Sequence, residues 1–265
     1  MLTTAPSTDL RVTLVQTELH WHQPDANQRM LADKLTPLVN QTDLIILPEM
    51  FTTGFSMEPE LLAEPEQGNT LQWMLQQAQQ TGAAITGSVI VRDATGFRNR
   101  LYWVTPEGQT HHYDKRHLFR MAQEQEHYQA GSERLVVEYR GWRILPQVCY
   151  DLRFPVFSRN TGDYDLAIYI ANWPESRRHA WRTLLQARAI ENLSYVAGVN
   201  RVGTDGKGLA YSGDSLLVDA AGQLLLDHPV GGRFVETRTL SAEKLNNFRA
   251  SFPAWQDADH FDLKL

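Results

Sequence analysis

The chain of 265 residues holds one cysteine, Cys149, in the segment Gln147-Val148-Cys149-Tyr150-Asp151-Leu152-Arg153-Phe154-Pro155. An apolar run rich in β-formers ends at Val148, and the residues after it read as a helical start broken at Pro155. A thiol on such a strand-to-helix turn is exposed as a nucleophile. The backbone N–H groups of the following residues point towards it, which lowers a thiol pKa and offers donors to an oxyanion. An isolated cysteine is more often a small buried hydrophobe. The polar neighbours Tyr150, Asp151 and Arg153 weigh against that reading, because an inert core thiol needs none at a strand end.

A thiol nucleophile needs a base. There are nine histidines, none in a papain-like or caspase-like local sequence. The pairs His20/His22 and His111/His112 lack the companion ligands of a metal site and read as surface or loop residues. Two other residues stand where sites gather in α/β proteins, directly after a strand. Glu49 follows the apolar run Leu44-Ile45-Ile46-Leu47-Pro48, and is either solvated at the strand end or part of a site. Lys115 follows the strand ending near Tyr113, where a plain solvated lysine is the default.

The elements that must position these residues alternate between the two periodicities. Residues 10–17, 44–47, 83–91, 99–104, 109–113, 135–137, 142–149, 166–170, 195–199, 215–219, 223–227 and 233–238 read as strands. Residues 24–39, 70–80, 177–193 and 242–248 read as helices, and Pro106-Glu107-Gly108 marks a hairpin. The glycine-rich stretch 203–213 has neither P-loop nor Rossmann spacing, so it reads as a loop or hairpin. Strands alternating with helices predict a mixed α/β (α+β) fold. With no linker and no repeat, residues 1–265 read as one domain ending in a tail, 250–265, that carries Phe252, Trp255 and Phe261.

Composition narrows the function classes. Hydrophobic residues make up 42% and charged residues 21%, which is globular rather than disordered. A net charge of −6 predicts no broad attraction to nucleic acid or to acidic membranes, and the short run Arg177-Arg178-His179 reads as a solvated helix start. No apolar stretch approaches the roughly 18 residues of a membrane span, and the polar N-terminus does not read as a signal peptide. A single cysteine precludes an intrachain disulfide, so a cytoplasmic protein is expected. No cofactor or metal signature is present, and a small molecule is the expected partner.

Three segments in order resemble the nitrilase superfamily of carbon–nitrogen hydrolases. They are Leu47-Pro48-Glu49-Met50-Phe51, Tyr113-Asp114-Lys115-Arg116-His117-Leu118-Phe119 and Val148-Cys149-Tyr150-Asp151-Leu152-Arg153-Phe154-Pro155. The likeness continues through Asn172-Trp173-Pro174, residues 179–192, Asn200-Arg201-Val202-Gly203 and Tyr211-Ser212-Gly213-Asp214-Ser215, covering about residues 10–240. Within the family it looks most similar to the ω-amidase branch, through Arg120-Met121-Ala122-Gln123-Glu124 and Asn172-Trp173-Pro174.

The resemblance implies an αββα sandwich, two mixed sheets face to face with helices outside, that forms a homodimer. It implies a Glu49-Lys115-Cys149 triad attacking a small 2-oxo acid ω-amide, 2-oxoglutaramate or 2-oxosuccinamate, through a thioester. Glu124 would be the family's second glutamate, although Glu126 stands two residues away. Tyr150 would supply an oxyanion donor from its backbone. Trp173 would wall the pocket or else belong to the core, and Arg153, Arg177, Arg178 and Arg201 are candidates to clamp a substrate carboxylate. Nitrile or N-carbamoyl hydrolysis by the same residues is the alternative chemistry, and a catalytically silent binding protein is the alternative class.

Overall fold

The computed structural model describes residues 6–263; residues 1–5 of the polar N-terminal segment and 264–265 of the tail lie outside the described residues. In chain order the first half forms β1 (Leu10–Gln16), α1 (Pro24–Leu35), β2 (Leu44–Ile46), α2 (Pro59–Leu62), β3 (Glu64–Pro65), α3 (Asn69–Thr81), β4 (Ala84–Arg92), β5 (Phe97–Val104), β6 (Thr110–Asp114) and α4 (Glu124–His127). The second half forms β7 (Val137–Tyr139), β8 (Trp142–Val148), β9 (Leu166–Ala171), α5 (Arg178–Asn192), β10 (Tyr195–Asn200), β11 (Val202–Thr204), β12 (Ala210–Ser212), β13 (Leu216–Val218), β14 (Leu224–Leu226), β15 (Phe234–Leu240) and α6 (Ala242–Ser251).

Two sheets result. One runs β15-β1-β2-β4-β5-β6, with β3 beside β4; the other runs β14-β13-β10-β9-β8-β7. Each has a parallel centre, β1-β2-β4 and β8-β9-β10, and antiparallel edges. Alternation along the strands decides which side chains face which layer. Leu44 and Ile46 of β2 join Ile144, Val148, Ile168 and Ile170 of the second sheet in one core between the sheets. Ile45 points the other way and packs with Leu31 and Leu35 of α1 and with Met74 and Ala78 of α3. On the far side, Leu145, Ala167 and Val196 pack under Trp181, Leu185 and Ala189 of α5. The layers are therefore helix, sheet, sheet, helix: the αββα sandwich.

Several element bounds differ from the sequence expectation for local reasons. The helix expected over 24–39 ends at Leu35, and Thr36–Leu38 forms a 3-10 turn, because Pro37 lacks an N–H and its ring collides with the carbonyl four residues back. The strand expected at 135–137 lies at Val137–Tyr139. It pairs with β8 across Arg140 and Gly141, whose φ values of 49° and 78° suit a tight two-residue hairpin turn. Residues 203–213 mostly form a hairpin of their own, β11 against β12. The last helix runs three residues past the expected 248, so the tail begins inside it.

Candidate active site

Five strands deliver polar residues to one place. Residues 44–47 are wholly buried, and the chain then turns at Pro48-Glu49-Met50, with Met50 at φ 43° and its N–H donating to Ser88 Oγ at 2.9 Å. This turn keeps Glu49 inside, with no exposed surface. Its carboxylate is fixed at both oxygens. Oε2 accepts the Asn172 backbone N–H at 2.8 Å, and Oε1 accepts Asn99 Nδ2 at 2.8 Å and Lys115 Nζ at 3.0 Å. Asn172 Nδ2 also donates to the Glu49 carbonyl at 2.6 Å.

Lys115 follows β6 and its ammonium is fully buried between Glu49 and Glu124, which accepts from it at 3.0 and 2.9 Å. The Gly131 N–H donates to the Lys115 carbonyl. A Cβ at Gly131 would lie 2.2 Å from the Asp114 carbonyl oxygen, so only glycine allows that segment so close. Burial alone would lower the lysine's pKa, but Glu124 first and then Glu49 outweigh it and hold the pKa above its ordinary value. The ammonium therefore stays charged. Glu124 opens α4 and accepts the Phe119 N–H at 2.6 Å; burial raises its pKa against the pull of Lys115. Glu126 is exposed, so Glu124 is the second glutamate of this cluster.

Cys149 sits half-buried at the end of β8, at φ 47°, opening a 3-10 turn over Cys149–Arg153. Its neighbour Asp151 locks that turn to the segment after Lys115. One Asp151 oxygen accepts from Tyr113 Oη at 2.8 Å and from the Val148 N–H at 2.9 Å. The other accepts from the His117 N–H at 3.0 Å and from His117 Nδ1 at 2.7 Å. The His117 ring then stacks on Phe154, with centroids 3.9 Å apart.

The sequence expectation that the turn lowers the thiol pKa is corrected here. Burial first, then the Glu49 carboxylate, push Cys149 well above its ordinary range, with Lys115 opposing and Glu124 adding to the rise. Two carboxylates and a desolvated setting outweigh one ammonium and a short turn. The resting thiol therefore keeps its proton, beside the Glu49 carboxylate.

Cys149 and Lys115 open onto a pocket also lined by Tyr150, Arg153, Asn172, Trp173 and Arg177, with Phe55, Met57, Phe119, Leu209 and Tyr211 as apolar and aromatic walls. Trp173 takes both roles left open for it: it is buried in the core under α5, and it faces the pocket. Of the four candidate arginines, two do not belong here. Arg178 is engaged by Asp214, at 3.0 and 2.6 Å. Arg201 is fully buried against the backbone carbonyls of Leu19, Val202 and Thr204 and over the Tyr211 ring. Arg153 and Arg177 line the pocket, over the rings of Trp173 and Phe119, and neither guanidinium has an ion-pair partner among the described residues.

Two residues given no role by the sequence hold the cluster together. Asn172 follows the apolar strand β9 as Glu49 follows β2, so the same signal marked it. Asn99 lies within β5 and gives no such signal.

The sequence profile of the carbon–nitrogen hydrolases matches residues 11–248. The chain belongs to that family. Omega-amidase YafV of Escherichia coli strain K12 is 50% identical over 254 residues, spanning 96% of this carbon–nitrogen hydrolase and 98% of that chain. The 2-oxoglutaramate amidase of Bacillus subtilis is 30% identical over 93% of this chain and 96% of its own. Among solved structures, XC1258 of Xanthomonas campestris, a superfamily protein with an arsenic adduct in its active site, superposes with a TM-score of 0.95. It is 52% identical and covers 97% of this chain and 100% of its own. Yeast Nit3 shares the fold alone, at 21% identity and a TM-score of 0.85. Among the described residues no helix of this carbon–nitrogen hydrolase is long and apolar enough to cross a membrane.

Proposed function

We propose that the protein is an ω-amidase that hydrolyses the terminal amide of a small 2-oxo acid, 2-oxoglutaramate or 2-oxosuccinamate, to the acid and ammonia. The observation that carries this reading is a single pocket holding both a thiol backed by a buried Glu-Lys-Glu cluster and two guanidiniums that have no ion-pair partner among the described residues. The first attacks an amide; the second suits the carboxylate at the far end of such a substrate. The names of the relatives, an omega-amidase and a 2-oxoglutaramate amidase, support the ω-amide class and the first of these two substrates.

In this reading the Cys149 thiol passes its proton to Glu49 as Sγ bonds to the amide carbon, since a protonated thiol beside a carboxylate needs a base at the moment of attack. The carbonyl oxygen becomes an oxyanion facing Lys115 Nζ and the backbone N–H of Tyr150, one of the first N–H groups of a 3-10 turn, which have no partner within the turn. Collapse breaks the C–N bond, Glu49 returns the proton to the departing nitrogen, and ammonia leaves a thioester on Cys149. Water then gives a proton to Glu49 and attacks the thioester. The acid departs as the thiol is restored. Glu124 holds the lysine in place throughout.

Work in a reducing cytoplasm fits a thiol nucleophile, and a homodimer is part of the same proposal. Cys149→Ala tests the reading: ammonia release from 2-oxoglutaramate falls below detection while circular dichroism and Tm stay native. Undiminished turnover in that variant overturns it. A panel of nitriles and N-carbamoyl compounds turned over faster than ω-amides would move the substrate to those classes.

A further inference from the structure

Asn172 is nine-tenths buried, lines the pocket beside Cys149, and has a side-chain oxygen with no hydrogen-bond partner among the described residues. Both of its nitrogen atoms are committed. The backbone N–H donates to Glu49 Oε2 at 2.8 Å, and Nδ2 donates to the Glu49 carbonyl at 2.6 Å. This fixes which way the amide faces, because turning it over would set Oδ1 against a carbonyl oxygen at that short distance. The remaining atom is therefore an acceptor, and a buried acceptor left unpaired is costly. The strand pairing explains its position: β8 and β9 run parallel, with Val148 opposite Ile170, so Cys149 and Asn172 leave the same edge of the sheet.

We propose that Asn172 Oδ1 accepts an N–H of the substrate's carboxamide nitrogen and is the residue that selects amides over substrates whose reacting group carries no N–H. This rests on the amidase reading above and adds a specificity-determining contact to it. A primary amide brings two N–H donors. A nitrile nitrogen and an ester oxygen bring only lone pairs, and either would leave Oδ1 unpaired or facing another acceptor. The contact also orients the departing nitrogen on the side of Glu49, the residue that Asn172 itself anchors.

The test compares the amide and the ω-methyl ester of the same 2-oxo acid as substrates for the wild-type enzyme and for Asn172→Ala. The ratio of kcat/KM for amide over ester is expected to fall tenfold or more in the variant. Equal losses on both substrates would overturn the proposal, since an effect through Glu49 alone moves both together. Wild-type enzyme that hydrolyses neither substrate would instead sink the amidase reading. Should Asn172→Ala fail to fold, Cys149→Ala protein carries the test by calorimetry. It is expected to bind the amide at least tenfold more tightly than the ester, and equal affinities would overturn the proposal.

Discussion

One ammonium and two carboxylates meet at the centre of this site without exposed surface, and that charge balance governs the behaviour of each residue in it. Removing one partner of a buried pair strands the other, at about 3–5 kcal/mol. Lys115→Met is therefore expected to abolish activity and also to lower unfolding stability by about that amount, read from urea denaturation; an inactive variant of native stability would contradict the pairing. The thiol carries a pH prediction. Because its pKa lies well above the ordinary value of 9.0, thiolate appears only as pH rises past that point. Iodoacetamide alkylation of Cys149 should be slower at pH 7 than that of a free peptide thiol and should still be climbing at pH 9. A plateau by pH 8 would show a depressed pKa instead. Glu49, Lys115 and Cys149 stood out in the sequence because each follows a strand, and the family resemblance joined them as a triad. Their protonation was not legible, since it depends on neighbours the fold brings together, such as Lys115 and Glu49, 66 positions apart in the chain and 3.0 Å apart in space.

At the scale of elements, the site is held by contacts between the segments that leave the strands. Asp151 joins the turn that carries Cys149 to the residues after Lys115, with four donors on two oxygens. Asp151→Asn places an NH2 group against two of those donors, whichever way it faces. A loss of about 1–3 kcal/mol is expected, together with a kcat at least tenfold lower; native kcat would show that this tie does not position the thiol. Strands and helices were legible from period and from turn residues, and the misplaced bounds trace to Pro37 and to the turn at Arg140-Gly141. Which arginine faces the pocket was not legible. Arg177 and Arg178 are adjacent, yet one lines the pocket and the other pairs with Asp214, a choice set by where α5 begins rather than by residue type.

At the scale of the molecule, the two-sheet core explains how the site stays fixed while one side of it opens to substrate. Glu49 and Lys115 come from one sheet and Cys149 and Asn172 from the other, so the packing between sheets sets their spacing. Ile168→Ala, in the middle of that core, is expected to cost about 2–5 kcal/mol and to lower Tm. Its kcat at a temperature where it remains folded reports how far the sheets relax. The αββα order could be read from resemblance but not from periodicity, because buried strands of both sheets look alike in sequence and nothing local tells which sheet each joins.

The thioester proposed on Cys149 unites these scales, and it can be weighed. Wild-type enzyme mixed with 2-oxoglutaramate, quenched in acid within milliseconds and examined by intact-protein and peptide mass spectrometry, should carry the acyl group of the substrate, less ammonia, on the peptide containing Cys149. Steady release of ammonia with no adduct at any quench time, or an adduct on any other residue, would contradict the mechanism.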